Sequence, residues 1–371
     1  MKDLRILIVG GGIGGLTSAV ALRAKGFAID IVEKDPSWSV YGVGIIQQSN
    51  VIRAMSALGL LDDYLDAGFG FDQVEIYIPS GARVATVPSP RLVPDYPANV
   101  GVGRRALHEV LGRRARDAGA RIRLGVTVET LDDDGDGVTV AFSDGTMTRY
   151  DMVIGADGLY SQMRGHVAPD APVPEFVGQG VWRYNFARPE DVISLCAYDG
   201  PIGVGLVPLS PALMYMYVTT PEPGNPRYPR EGLAAAMRAK LAGQPPRIAA
   251  LADEITDDEA VVYKPLEWLF LEGPWHKGCV VLIGDAVHAT TPHLGQGAGM
   301  AIEDSVVLAE ELAAHATIEQ AFAAYRARRH DRCKYIVDAS KAISFGQTGQ
   351  GPRIDQARAT HDMFEMTGQS I

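Results

Sequence analysis

Gly10-Gly11-Gly12-Ile13-Gly14-Gly15 is the stretch on which the reading of the whole chain turns. A short apolar run, residues 4–9, leads into it. A helix-compatible segment, residues 17–25, follows and is stopped by Gly26. The order is strand, glycine turn, helix. Gly10 permits the tight turn, Gly12 lets a pyrophosphate approach the backbone, and Gly15 lets the helix sit close to the sheet. The helix start offers free N–H groups and about half a positive charge to phosphates. A second apolar strand, residues 28–32, ends at Glu33, 18 residues after Gly15. A carboxylate at that point accepts ribose hydroxyls and repels a 2′-phosphate. The pattern predicts a bound adenine dinucleotide and leaves FAD and NAD open.

The 371 residues leave room for two or three domain-sized units, or for one large α/β unit with an insertion. With 47% hydrophobic and 21% charged residues, the chain is neither disordered nor fibrous. A net charge of −11 argues against nucleic acid and against anionic membrane surfaces as partners. Three cysteines (Cys196, Cys279, Cys333) without C-x-x-C spacing argue against a disulfide framework or a metal site, and fit a reducing cytoplasm. Residues 6–22 carry no charge, but five glycines interrupt them, and 17 residues are short for a membrane span.

Farther along, residues 50–58 read as a helix. Residues 73–87 read as a hairpin turning at Ser80-Gly81, and residues 104–118 as a strongly periodic helix. A tight turn at 133–137 and a buried strand at 152–154 follow. Residues 173–218 alternate like strands, and residues 231–241 and 247–255 are helical. The last 50 residues look helical, with a polar, mobile end after Gly346.

A second strand-loop-helix lies near the end. The strand Val280-Val281-Leu282-Ile283 runs into Gly284-Asp285-Ala286-Val287-His288, and then come Pro292, Gly295, Gln296, Gly297, Ala298, Gly299 and Met300. Its glycines let backbone press against a flat ligand. Asp285 can hold a ribityl hydroxyl. The N–H groups of residues 297–300 can stabilise negative charge on a reduced isoalloxazine. This favours FAD.

With a third motif, Gly155-Ala156-Asp157-Gly158-Leu159-Tyr160-Ser161-Gln162-Met163-Arg164, the chain resembles the class A flavoprotein monooxygenases, the family of p-hydroxybenzoate and salicylate hydroxylases. Gly42-Val43-Gly44-Ile45 and Arg104-Arg105-Ala106-Leu107-His108 agree with it. Ser49 and Gly299 depart from residues common in the family. The resemblance covers roughly residues 1–335. It implies an α/β fold: a Rossmann-like, GR2-type FAD-binding domain with an inserted, mainly antiparallel β-sheet substrate domain and C-terminal helices. The expected division gives residues 1–72, 98–172 and 269–330 to the FAD domain. Residues 73–97 and 173–268 go to the substrate domain, and residues 331–371 to a helical tail. The cofactor contacts it implies are Gly10, Gly12, Ile13, Gly14, Gly15, Glu33, Lys34, Gly44, Arg104, Val128, Asp157, Arg164, Asp285, Pro292, Gly295, Gly297, Ala298, Gly299 and Met300. The implied chemistry is reduction of FAD by NADH or NADPH, then O₂ addition to a C4a-hydroperoxide that hydroxylates an electron-rich ring. Another FAD-dependent reductase, oxidase or epoxidase of the same fold is the alternative.

Candidate ring contacts follow from strand alternation. Tyr215 and Tyr217 share one face and Met214 and Met216 the other; the phenols suit an aromatic substrate. Arg183 can meet a substrate carboxylate or serve a structural ion pair. Residues 192–218 hold no Lys, Arg or His, which leans toward an uncharged hydroxylated aromatic or heteroaromatic substrate. His293 and His288 are candidate bases; a base-free site is the third option. Oligomeric state is monomer or homodimer.

Overall fold

The computed structural model describes residues 4–40 and 42–371. Arg5–Val9 forms the central strand of a six-stranded sheet, with Ile6, Leu7 and Ile8 fully buried. Such runs stay dry because helices cover both faces of a parallel sheet. The order is His276–Lys277, Val280–Leu282, Met152–Gly155, Arg5–Val9, Ala28–Glu33, Arg121–Leu124. All neighbours are parallel except the first pair. The three motif strands therefore end side by side, with their loops at one edge.

The first helix is Ile13–Ala24, four residues earlier than the apolar pattern alone gives, because Gly12 is its N-cap. It lies against the Gly297–Ala314 helix, where Ser18 and Ser305 hydroxyls meet at 2.9 Å. The stretch at residues 6–22 is thus strand and helix of the core. Among the described residues, no helix is long and apolar enough to cross a membrane.

The second large sheet has seven strands, in the order Val262–Trp268, Glu175–Ala187, Leu213–Pro221, Gly203–Pro208, Leu195–Tyr198, Gln73–Tyr77, Arg83–Pro88. It is antiparallel apart from one parallel pair. One face carries Trp182, Met214 and Met216 into an apolar layer with the short helices Leu233–Lys240 and Pro246–Asp253. The other face turns toward the motif loops. Two features escaped the sequence reading. The Val262–Trp268 strand interleaves Lys, Pro and Glu, so its alternation is masked. A three-stranded sheet of Gly44–Gln47, Asn99–Gly103 and Gly68–Phe71 is rich in glycine, which blunts strand propensity. It wedges beneath the larger sheet: a Cβ on Gly101 would meet the Pro208 carbonyl at 2.0 Å.

The chain end differs most from expectation. One helix, Ile318–Thr348, runs through the proposed boundary at residue 331. Its first half packs under the FAD-motif strands, with Tyr325 Oη donating to Leu282 O. Its last turns reach the seven-stranded sheet, where Ser344 donates to Gln179 at 2.6 Å and Gln179 donates to Gln347 at 3.0 Å. The polar end after Gly346 is docked. Gln356–Gly368 is a helix that buries Met363 and Phe364. Arg53 and Arg332 donate to its terminal carbonyls, a helix-capping arrangement that composition does not reveal.

Candidate functional site

One cavity of about 500 Å³ opens between the two large sheets. Its near end is made of backbone. Gly10 sits at φ +110°, where L side chains are strained, and a Cβ there would meet the Ala156 carbonyl at 2.4 Å. A Cβ on Gly15 would meet Gly10 O at 2.0 Å. Gly12 faces open space, with nothing within 4 Å of where its Cβ would be. So Gly10 and Gly15 are packing glycines, and Gly12 clears the approach to the helix start. Gly12, Ile13 and Gly14 line the cavity together with Glu33. The Glu33 carboxylate accepts from the N–H groups of Gly11 and Asp35, each at 2.8 Å, which fixes it at the cavity rim. Trp38 and His108 both meet Gly11 O, at 2.8 and 2.9 Å, and close this end. The sequence reading missed both, although His108 lies in the arginine motif and Trp38 five residues beyond Glu33.

The far end is made of side chains. Arg183 pairs across strands with Tyr217, and Asn185 with Tyr215. Arg183, Tyr215 and Tyr217 line the cavity, whereas Met214 and Met216 lie on the buried opposite face. Gly44 supplies room for the Tyr215 ring, since a Cβ there would meet it at 2.2 Å. Arg104 stands close by. Among the described residues, neither the Arg104 nor the Arg183 guanidinium has a hydrogen-bond acceptor or a carboxylate partner. Burial, reinforced by the Arg104 charge, lowers the Arg183 pKa to about 10. It remains a cation at neutral pH, and among the described residues it does not form the structural ion pair that the sequence allowed. Burial pushes the Tyr215 phenol up to about 12, against the pull of Arg183 and Arg104. Both tyrosines are neutral donors.

Between these ends lies the second glycine loop. Asp285, Pro292, Gly295, Gly297 and Ala298 line the cavity. Desolvation by the surrounding cavity walls raises the Asp285 pKa, although its side chain is open to the cavity and His288 and Arg104 oppose the shift. Lys264, Pro265, Leu266 and Glu267 come from the strand that the sequence reading did not see.

Several expected contacts lie off the cavity. Asp157 caps its own short helix, accepting from Ser161, Gln162 and Met163 at 2.6–3.1 Å. With Val128 it lines a separate groove of about 150 Å³. Arg164 is buried and donates to Leu159 O and Ala286 O at 2.9 and 3.1 Å, so it ties two motif loops together from behind. Lys34 is exposed beyond Glu33, and Gly299 and Met300 turn into the helix packing. His293 does not line the cavity either. Its Nδ1 meets Thr291 Oγ1 at 2.9 Å and its Nε2 meets Gln347 Oε1 at 3.2 Å. Burial lowers its pKa to about 4, despite the Gln347 hydrogen bond. His288 is fully buried under the loop, 2.7 Å from Asp304. Burial opposes its charge, but Asp304 holds its pKa well above the ordinary value. Neither histidine is placed as a base toward the cavity.

The residues fit a dinucleotide of flavin type. Two helices, Ile13–Ala24 and Gly297–Ala314, start at the same cavity, and neither start is capped by a side chain. Their N-terminal N–H groups need acceptors, and their dipoles favour negative charge. A single elongated ligand with a pyrophosphate and an ionisable ring meets both needs.

Comparison with known proteins agrees. Residues 3–340 match the family model described as FAD binding domain. The chain is 30% identical over 348 residues to the putative FAD-dependent monooxygenase YetM of Bacillus subtilis, covering 91% of this chain and 92% of that protein. It is 30% identical over 371 residues to 6-hydroxynicotinate 3-monooxygenase of Bordetella bronchiseptica, covering 94% and 93%. Klebsiella pneumoniae HpxO complexed with FAD and uric acid superposes with a TM-score of 0.83 at 26% identity, over 98% of this chain and 92% of that one. The fold and cavity thus define an FAD-binding flavoprotein. Within that class, the chain belongs to the FAD-dependent aromatic monooxygenase family and is an FAD-dependent monooxygenase.

Proposed function

We propose that the protein hydroxylates a small aromatic or heteroaromatic ring that carries negative charge when bound, with NADH or NADPH as reductant and O₂ as oxygen source. The observation that carries this is the cluster of Arg183, Tyr215 and Tyr217 at the far end of the FAD cavity. A half-buried cation with no carboxylate partner among the described residues is left uncompensated at a cost, and an anionic ligand offsets that cost. The lean toward an uncharged substrate rested on residues 192–218; Arg183 enters from the neighbouring strand. The 6-hydroxynicotinate and uric acid in the names of similar proteins are rings of this kind.

FAD in the cavity supplies hydride acceptance and O₂ activation. Gly12 and the helix start at Ile13 hold its pyrophosphate, Glu33 its ribose, and Asp285 its ribityl chain. Arg183 orients the ring through charge, and Tyr215 and Tyr217 donate to ring oxygens. Ionisation of the substrate in solution replaces a protein base, consistent with the placement of His288 and His293. The seven-stranded sheet excludes water, which protects the oxygenating step from waste. We assign residues 73–97 and 173–268 to the substrate domain and residues 1–72, 98–172 and 269–330 to the FAD domain. Three buried free thiols support work in a reducing cytoplasm.

The test is simultaneous O₂ uptake and H₂O₂ release, with NADH and with NADPH. The panel contains hydroxybenzoates, hydroxypyridines and purine-like oxo-heterocycles, each above and below its own pKa. A ring that accelerates uptake with little peroxide, better when ionised, supports the reading. Preference for neutral rings, or complete return of oxygen as peroxide, overturns it.

A further inference from the structure

Within Gly295-Gln296-Gly297-Ala298, every residue but Gln296 lines the cavity. Gln296 is buried to 1% exposure and points the other way. Its amide pairs reciprocally with Asn50. Gln296 Nε2 donates to Asn50 Oδ1 at 3.1 Å, and Asn50 Nδ2 donates to Gln296 Oε1 at 3.0 Å. Gln296 Nε2 also donates to Gln48. The polar path continues without a gap. Asn50 Nδ2 donates to Glu303 Oε1 at 3.0 Å, and Arg332 donates to the same carboxylate at 2.7 and 2.9 Å. Arg332 then reaches the carbonyls of Met366 and Thr367, each at 2.7 Å, at the end of the Gln356–Gly368 helix.

A path of this kind makes a demand that packing alone does not. Gln296 is the N-cap of the Gly297–Ala314 helix, and its own carbonyl accepts the first helical bond, from Met300 at 2.8 Å. Where its side chain is anchored fixes where the helix's first N–H groups aim. Dipolar stabilisation falls off within the first turn, so a small change of aim matters. A buried amide left without partners is costly, which makes the anchor strongly preferred.

We propose that Gln296 is a positioning residue. It aims the N–H groups at the start of the Gly297–Ala314 helix at the reactive ring of the cofactor, and the C-terminal helix Gln356–Gly368 holds it through Arg332, Glu303 and Asn50. This rests on the reading that FAD occupies the cavity. Nothing in the arrangement lets Gln296 touch the ring itself. Its effect falls on the reduced, negatively charged form more than on the oxidised one, because only that form exploits aimed N–H groups.

The measurement is the midpoint potential of bound FAD in the parent holoenzyme and in four variants. FAD affinity is followed by flavin fluorescence, and folding by thermal denaturation. Gln296→Met keeps the volume and removes the amide. About tenfold weaker relative binding of the reduced form is expected, a midpoint potential lower by about 30 mV for a two-electron couple. Gln48→Met, which removes one acceptor, and Arg53→Met, which removes the donors to the Gly368 and Gln369 carbonyls and a 4.0 Å ion pair with Glu303, should shift the potential the same way by less. Both keep the test open if Gln296→Met does not fold. Val307→Ala, in the same helix but apolar, should lower the melting temperature and leave the potential in place. Unchanged potentials in the Gln296 and Gln48 variants overturn the proposal. A shift in those two but none in Arg53→Met overturns the role of the C-terminal helix. A shift in Val307→Ala equal to the others marks general loosening and also overturns it. Failure of the parent chain itself to bind FAD would overturn the functional reading as well, and is recognised by appearing before any substitution.

Discussion

The two ends of the cavity are built by opposite means. At the dinucleotide end the walls are backbone, with Gly12 and the start of the Ile13–Ala24 helix presenting N–H groups held by local turns. At the ring end the walls are side chains, and Arg183 meets Tyr217 only because two distant strands pair in one register. The first end has no room for a Cβ at Gly10 or Gly15, where backbone carbonyls stand in the way. The second tolerates side-chain change and no slip: a one-residue shift would exchange Tyr215 and Tyr217 for Met214 and Met216.

That contrast can be broken hardest at Gly15. In Gly15→Ala the new Cβ would sit 2.0 Å from the Gly10 carbonyl, with no flexible side chain to yield. Overpacking costs about 1–3 kcal/mol, and a backbone clash lies at the upper end. FAD affinity should fall roughly a hundredfold, read as flavin bound per protein; full flavin content would remove the backbone account of that end.

Arg183→Met comes next. Loss of a charged hydrogen bond costs about 1.5–3 kcal/mol, so KM for the ionised ring should rise roughly 10- to 100-fold. Flavin content should stay intact, and its loss would mean that Arg183 belongs to the cofactor end. Tyr217→Phe removes one neutral donor worth about 1 kcal/mol, a several-fold drop in kcat/KM without loss of FAD. An unchanged kcat/KM would take the hydroxyl out of the site.

The smallest effect concerns His293. With its pKa lowered to about 4, it is already neutral throughout the neutral range. His293→Gln should therefore leave the pH profile of kcat/KM above pH 6 where it was. Stability behaves differently. The unfolded histidine, near 6.5, binds a proton that the folded one refuses. The neutral-His state thus contributes full stability above about pH 6.5, and that is lost as pH falls toward about 4. Melting temperature against pH should fall less steeply there for His293→Gln than for the parent, and equal slopes would refute the assignment.

The dinucleotide end was legible because each requirement is local. Gly10, Gly12, Gly15 and Glu33 lie within one strand-turn-helix-strand, where spacing alone fixes geometry. The face holding Tyr215 and Tyr217 was legible from alternation. What was not legible depends on contacts between distant segments. Asp157 and Arg164 read as ligands because the motif contains them; only the packed loops show them bonding a helix start and two carbonyls. His293 looked like a base until Gln347, 54 residues on, took its ring nitrogen. The docked end after Gly346 depends on Arg53 and Arg332, far away in sequence and invisible to composition.

The Ile318–Thr348 helix is about 45 Å long. It is bolted at Leu282 near one end and at Gln179 near the other. Such a member works as a splint across two bodies, and it constrains ancestry as well as mechanics. Exchange of the seven-stranded sheet for a foreign one would break the bonds of Ser344 and Gln347 to Gln179. If Arg183, Tyr215 and Tyr217 hold the ring as proposed, specificity is altered more simply at those three positions than by exchange of the sheet.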